Sequence, residues 1–93
     1  FEDPEILAFR DISPQAPSHI VVIPKKHIRS AAEIDESNQL LAGKIIAAAS
    51  KIAKELELDS YRLVFNCNES AGQTVFHLHC HLLGGRTFLW PPG

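Results

Sequence analysis

Between Phe76 and Leu83 the chain alternates imidazole with small apolar side chains: His77-Leu78-His79-Cys80-His81-Leu82. On an extended strand successive side chains point to opposite faces, so His77, His79 and His81 share one face while Leu78, Cys80 and Leu82 share the other. The apolar face is suited to a core. A core has no use for three imidazoles in a row, and histidine is the side chain whose unperturbed pKa lies nearest neutrality. Such a row suits nucleophilic attack, proton transfer or metal ligation.

The rest of the chain indicates what this strand packs with. Glu5 to Asp11 is short, apolar and bounded by Pro4 and the Pro14 and Pro17 stretch, which predicts a strand and a turn. His19 to Pro24 is β-branched and predicts a second strand buried on nearly both faces, ended by Pro24. Leu41, Ile45, Ala48, Ala49, Ile52 and Leu56 repeat with helical spacing after an N-cap candidate within Asp35 to Asn38, predicting one amphipathic helix from near Glu36 to Leu56. Tyr61 to Asn66 predicts a third strand, Asn66 to Gln73 a turn, and Thr74 to Leu83 the histidine strand, broken by Gly84 and Gly85. Strands joined by short connections plus one long helix predict an α+β fold with a mainly antiparallel sheet. With no repeat and no linker, residues 1–93 are expected to form a single domain.

Composition narrows the functional classes. A formal charge of −2 argues against a nucleic-acid binder working through a broad cationic surface, while leaving room for a small anion held locally. The two cysteines, Cys67 and Cys80, sit in apolar runs and form no Cys-x-x-Cys pair, so both are expected to be free buried thiols in a reducing, cytoplasmic setting. No apolar stretch approaches the ~20 residues of a bilayer span, and no signal peptide opens the chain. A chain that starts at Phe1 and contains no methionine is expected to be N-terminally incomplete.

Three readings compete for the histidine face. The rings are surface or hydrogen-bonded structural residues; or alternate strand positions converge on a metal, as in a His₃ zinc centre; or one neutral imidazole attacks phosphorus while its neighbours bind oxygens and fix its tautomer. The third needs donors that stabilise a phosphoryl group. Gly72 leaves an amide unshielded, and Gln73, Thr74 and Asn66 supply side-chain donors nearby. No Walker loop or magnesium-type carboxylate cluster is present, so a metal-free covalent route fits better and no cofactor is expected.

His77-Leu-His79-Cys-His81-Leu-Leu resembles the His-x-His-x-His-x-x signature of the histidine triad superfamily. Four further blocks, Asp11-Ile-Ser-Pro-Gln-Ala-Pro-Ser-His19, Val22-Ile-Pro-Lys-Lys-His27, Ala71-Gly-Gln-Thr-Val-Phe-His77 and Leu83-Gly-Gly-Arg86, together with terminal Trp90-Pro-Pro-Gly93, resemble its nucleotide-binding protein branch. The resemblance implies a homodimeric purine nucleoside phosphoramidate hydrolase that passes through a nucleotidyl-histidine intermediate. It implies that His79 attacks the α-phosphate, His81 contacts a phosphate oxygen, His77 orients the nucleophile partly through its main-chain carbonyl, and His19 completes a proton relay. It assigns Asn66, Gly72, Gln73 and Thr74 to phosphate contact, Phe9, Asp11 and Ile12 to the nucleoside pocket, and Trp90 to the partner subunit's site. It further implies that a family N-terminal helix and part of the first strand are absent from this chain. Alternatives within the same fold are a nucleotide-binding scaffold with incidental catalysis and a dinucleoside polyphosphate hydrolase or phosphorylase. The residues leave bland roles open too: an Asx-type turn for Asp11, core packing for Phe9 and Ile12, the protein's own core for Trp90, and the surface for His27.

Overall fold

The β-branched run that ends at Pro24 occupies the middle of the molecule. In a computed structural model describing residues 1–93, strand β2 (Ser18–Pro24) lies between β1 (Ile6–Arg10) and β4 (Cys80–Gly84), and β3 (Tyr61–Val64) closes the far edge of β4. All three pairings of this β1-β2-β4-β3 sheet are antiparallel, and one helix, α1 (Gln39–Glu55), crosses over it. The expected α+β class is the observed one. No helix is long and apolar enough to cross a membrane.

Register divides the sheet into two chemically different faces. Ile6, Ala8, Ile20, Val22, Cys80 and Leu82 project to one side, where Ile45, Ala48, Ala49, Ile52 and Ala53 of α1 meet them in a single core. The alanines let the helix approach closely, and the larger Ile and Leu side chains each contribute roughly 1.5–3 kcal/mol when removed from water. Val21 pairs with His81 and Phe9 with Val21, so Phe9, Val21 and His81 share the opposite face.

The element ends depart from the sequence expectation for identifiable reasons. The helix begins at Gln39 rather than near Glu36, because residues 35–38 form a turn of their own. Asn38 accepts the Asp35 N–H through Oδ1 (2.8 Å) and donates to the Glu33 carbonyl (3.0 Å), leaving no side-chain cap for the helix. The histidine strand was expected from Thr74, yet ladder pairing starts only at Cys80, and β3 stops at Val64 rather than Asn66. Pairing with β2 ends at Val22↔Cys80, and the Leu78 N–H turns instead to the Ile28 carbonyl at 2.6 Å. Alternation outlasts the ladder: Leu78, Cys80 and Leu82 are buried while the three histidines are half-buried.

Helix α1 ends in a paired hydrogen bond of the Schellman type, Leu58 N–H to Ala53 carbonyl (2.9 Å) and Glu57 N–H to Lys54 carbonyl (3.0 Å). This geometry puts exposed Glu57 at φ +58, a left-handed conformation that a side chain with a Cβ resists. Glu57→Gly is therefore expected to raise unfolding free energy by about 1 kcal/mol, measured by urea denaturation. An unchanged or lower midpoint would mean that Glu57 adds interactions outweighing its backbone cost.

Candidate active site

A cavity of about 630 Å³ opens on the sheet face turned away from α1. It is lined by Phe9, Asp11, Ser13, Gln15, His19, Val21, Ile23, Asn66, Gly72, Thr74, Val75, His77, His79 and His81. A second cavity, about 610 Å³, lies where the turn after α1 meets the chain leaving β4; it contains Arg62, Arg86 and Phe88 but no histidine or cysteine. The chemistry of nucleophiles and proton carriers belongs to the first.

Backbone groups assign the proton on each neutral ring in turn. The Gln15 N–H donates to Nδ1 of His19 at 3.0 Å, so the single proton of His19 resides on Nε2. That Nε2 stands 2.9 Å from Nδ1 of His81, which must then accept, placing the His81 proton on Nε2. Nδ1 of His79 is 2.7 Å from the carbonyl oxygen of His77 and donates to it, so Nε2 of His79 keeps a bare lone pair. The His77 ring donates from Nε2 to the Pro24 carbonyl (2.7 Å), and its Nδ1 faces Nδ1 of His27 at 3.3 Å, with His27 donating. The bare lone pair of His79, the Nε2–H of His81 and the hydrogen bond behind it thus follow from one carbonyl and one amide.

His81 is the ring whose proton affinity is most clearly altered. Burial lowers its pKa from the ordinary 6.5, the neighbouring His79 and His19 lower it further, and Asp11 opposes them. Between the histidines, burial pushes the Cys80 thiol up to about 12, so it packs as an apolar group and is no competing nucleophile. Both cysteines are free; Cys67 is half-buried rather than buried.

Other expected residues divide into those gathered at the cavity and those held elsewhere. Phe9, Asp11, Asn66, Gly72 and Thr74 line it with the four histidines His19, His77, His79 and His81. Asp11 combines two roles: Oδ1 accepts the Ser13 N–H (2.8 Å) in an Asx turn, and Oδ2 sits 3.6 Å from Nε2 of His19. Gly72, at φ +98, adopts a left-handed turn beside the Asn66 amide, where a Cβ would stand 3.7 Å from Nδ2. Gln73 instead faces inward, 1% exposed. Its Oε1 accepts the Asn68 N–H, and its Nε2 donates to the Arg29 and Val75 carbonyls, so the side chain splints the loop and has no donor left for a phosphate. Ile12 is 99% exposed and Trp90 84% exposed, both outside the cavity.

Several residues escaped the sequence reading. Val21 and Ile23 carry a signal that could have found them, since they alternate with His19 on one strand face. Gln15 acts through its backbone and leaves no side-chain signal. His27 is exposed, as its lysine neighbours suggested, yet its ring meets that of His77 across 50 positions of sequence.

Metal-ligand geometry does not gather the three aligned histidines. The grouping with ligand atoms within 4.8 Å of one another is Asp11, His19 and His81. In it, two ring nitrogens face each other along a hydrogen bond, so a metal would have to displace the shared proton and turn both rings.

An antiparallel sheet with one face sealed by a helix and the other carrying four hydrogen-bonded imidazoles defines a small α+β protein with a histidine-based site. The HIT domain family matches residues 1–88, and this chain belongs to that family. An HIT-like protein of Synechococcus elongatus is 49% identical over 94 residues, covering 100% of this chain and 82% of the relative. The crystal structure of an HIT family hydrolase from Legionella pneumophila superposes with a TM-score of 0.97 at 52% identity, covering 100% of this chain and 85% of that one. An HIT family hydrolase from Clostridium thermocellum gives 0.90 at 50% identity, covering 92% and 76%.

The depressed pKa of His81 carries a signed consequence. The native ring takes up its proton less readily than the unfolded chain, so its contribution to stability is present above pH 6.5 and is lost as pH falls below that value. A histidine NMR titration should place the His81 midpoint below 6.5. Urea unfolding should show stability dropping on acidification, with a shallower dependence in His81→Asn. A midpoint at or above the ordinary value would contradict the assigned burial effect.

Proposed function

We propose that this chain is a hydrolase of nucleoside 5′-phosphoramidates, acting through a nucleotidyl intermediate on His79. The observation that carries the proposal is the bond from Nδ1 of His79 to the His77 carbonyl, which leaves an unprotonated Nε2 in a cavity that also contains Asn66, Gly72 and Thr74. The hydrolase relatives from Legionella and Clostridium support the reaction class, and the resemblance to the nucleotide-binding branch supports the substrate class.

In the first step the Nε2 lone pair of His79 forms a bond to the α-phosphorus as the phosphorus–nitrogen bond of the substrate breaks. The departing nitrogen takes up a proton from solvent and leaves as the free amine. The proton on Nδ1 remains held by the His77 carbonyl, so positive charge developing on the attacking ring is delocalised and partly stabilised by that acceptor. His81, with its proton on Nε2, donates to a non-bridging oxygen, and His19 supports this tautomer from behind. Water then attacks the nucleotidyl-histidine and releases a proton to solvent, the new phosphorus–nitrogen bond breaks to restore the Nε2 lone pair of His79, and the nucleoside monophosphate leaves. In this reading the second oxygen of Asp11 accepts ribose hydroxyls and Phe9 covers one face of a purine; the support is that both line the cavity. Substrate recognition requires no added cofactor in this scheme.

The functional unit we propose is a homodimer. Leu89 and Trp90 are 79% and 84% exposed on the terminal segment, an apolar pair that a second copy would cover. With 93 residues, pairing equal surfaces about a two-fold axis also enlarges a small core.

Rapid-quench mass spectrometry after mixing with a nucleoside phosphoramidate should detect one nucleoside monophosphate on His79, acid-labile as a phosphorus–nitrogen bond is. His79→Ala should abolish the adduct and lower turnover by at least ~10³-fold. Turnover without an adduct on any histidine would mean direct attack by water. Sedimentation at micromolar concentration should give the mass of two chains; a monomer would remove the partner-site role of Trp90.

A further inference from the structure

The chain leaves β4 through Gly84-Gly85-Arg86, a turn that touches the cavity only through an intermediary. Gly85 has φ +89, and a Cβ on it would stand 3.0 Å from Cβ of Pro17. The turn therefore lies directly against the loop between β1 and β2. From there Arg86 reaches back along that loop. Its Nε donates to the Gln15 carbonyl (3.1 Å), its Nη1 donates to the Thr87 carbonyl (3.1 Å), and its guanidinium lies 4.2 Å above the Phe88 ring. No carboxylate pairs with it. An exposed arginine fixed by two carbonyls and an aromatic face, with no salt bridge, is arranged to hold a position.

The residue it holds is the one that sets the tautomer of His19. Pro14 and Pro17 lack N–H groups, and the Ser13 N–H is taken by Asp11, so the loop has few donors to spare. The Gln15 N–H is the one aimed at Nδ1 of His19. With that amide in place, a proton on Nδ1 would oppose one N–H to another, and only the Nε2–H form is compatible with the loop. Once the amide withdraws, both tautomers of His19 become accessible, and the Nδ1–H form cannot donate to His81.

We propose that Arg86 is a positioning residue: by gripping the Gln15 carbonyl it keeps the Gln15 N–H on His19, and so keeps the proton of the His19–His81 pair facing the site. The kinetic part of this inference rests on the reaction proposed above. The tautomer part does not.

The experiment uses the full chain labelled with ¹⁵N-histidine and long-range ¹H–¹⁵N correlation spectra of the free protein. Wild type should show His19 as a single Nε2–H tautomer. In Arg86→Ala the two ring nitrogen shifts of His19 should move toward each other, the mark of tautomer averaging, and kcat on a nucleoside phosphoramidate should fall about fivefold. Arg86→Lys keeps a donor and should restore the wild-type pattern and most of the rate. An unchanged His19 pattern in Arg86→Ala overturns the proposal, as does a lysine variant that leaves the tautomers averaged. Absence of turnover in wild type would overturn the proposed reaction alone, since the spectra decide the role of Arg86 without it.

Discussion

The alternation that carries Leu78, Cys80 and Leu82 into the core is the constraint on which the rest depends. These side chains are 2%, 0% and 0% exposed, and they pack against the same cluster that contains Ile45 and Ala49 of α1. A slip of one residue would bury three imidazoles and expose three apolar groups, exchanging favourable burial for unpaired polar groups in the core. Core packing thus fixes the side of the chain from which His77, His79 and His81 project. The helix never touches the chemistry, yet it determines which face receives it.

Ladder pairing would be a simple way to hold that segment straight, but it ends at Cys80, and the His79 ring lies beyond it. What replaces the ladder is a set of bonds to residues 24–28: Leu78 N–H to the Ile28 carbonyl, the His77 ring to the Pro24 carbonyl, and the His77 ring to His27. Pro24 has no N–H to offer a strand, yet its carbonyl remains free to accept, which is how a strand terminator also becomes an anchor. Because His79 is oriented by a carbonyl of its own segment, anything that fixes residue 77 fixes the His79 ring as well.

Legibility in the sequence followed the range of the interactions. Period-two and helical patterns are local, so the four strands, the helix and its buried face could be read directly, and five ordered motifs resembled one family. Their ends could not, because they depend on where a partner stops: β4 starts late because β2 runs out of ladder, and α1 starts late because Asn38 is occupied by Asp35 and Glu33. Gln73 shows the same limit on a side chain. Its amide donors suit a phosphate in principle, but the Arg29 and Val75 carbonyls occupy them, and its Oε1 is taken by the Asn68 N–H. His27 and His77 illustrate the converse, a contact across 50 residues that no spacing announces.

The cavity contains no lysine or arginine, and its one carboxylate is Asp11. A phosphoryl anion entering it would therefore be met by neutral N–H and O–H donors, and the counter-charge must come from protons on imidazole. Burial and the neighbouring rings hold His81 below the ordinary range, which favours the neutral ring whose Nδ1 accepts from His19. A bound anion reverses the balance, since negative charge a few ångströms from a ring favours its protonated form. The same burial that lowers the proton affinity of His81 also strengthens its response to any negative charge brought into the cavity as water is displaced. A lysine in this position would bind the anion more strongly in the ground state. It would also hold a fixed charge, whereas an imidazole gains one only when negative charge comes near it.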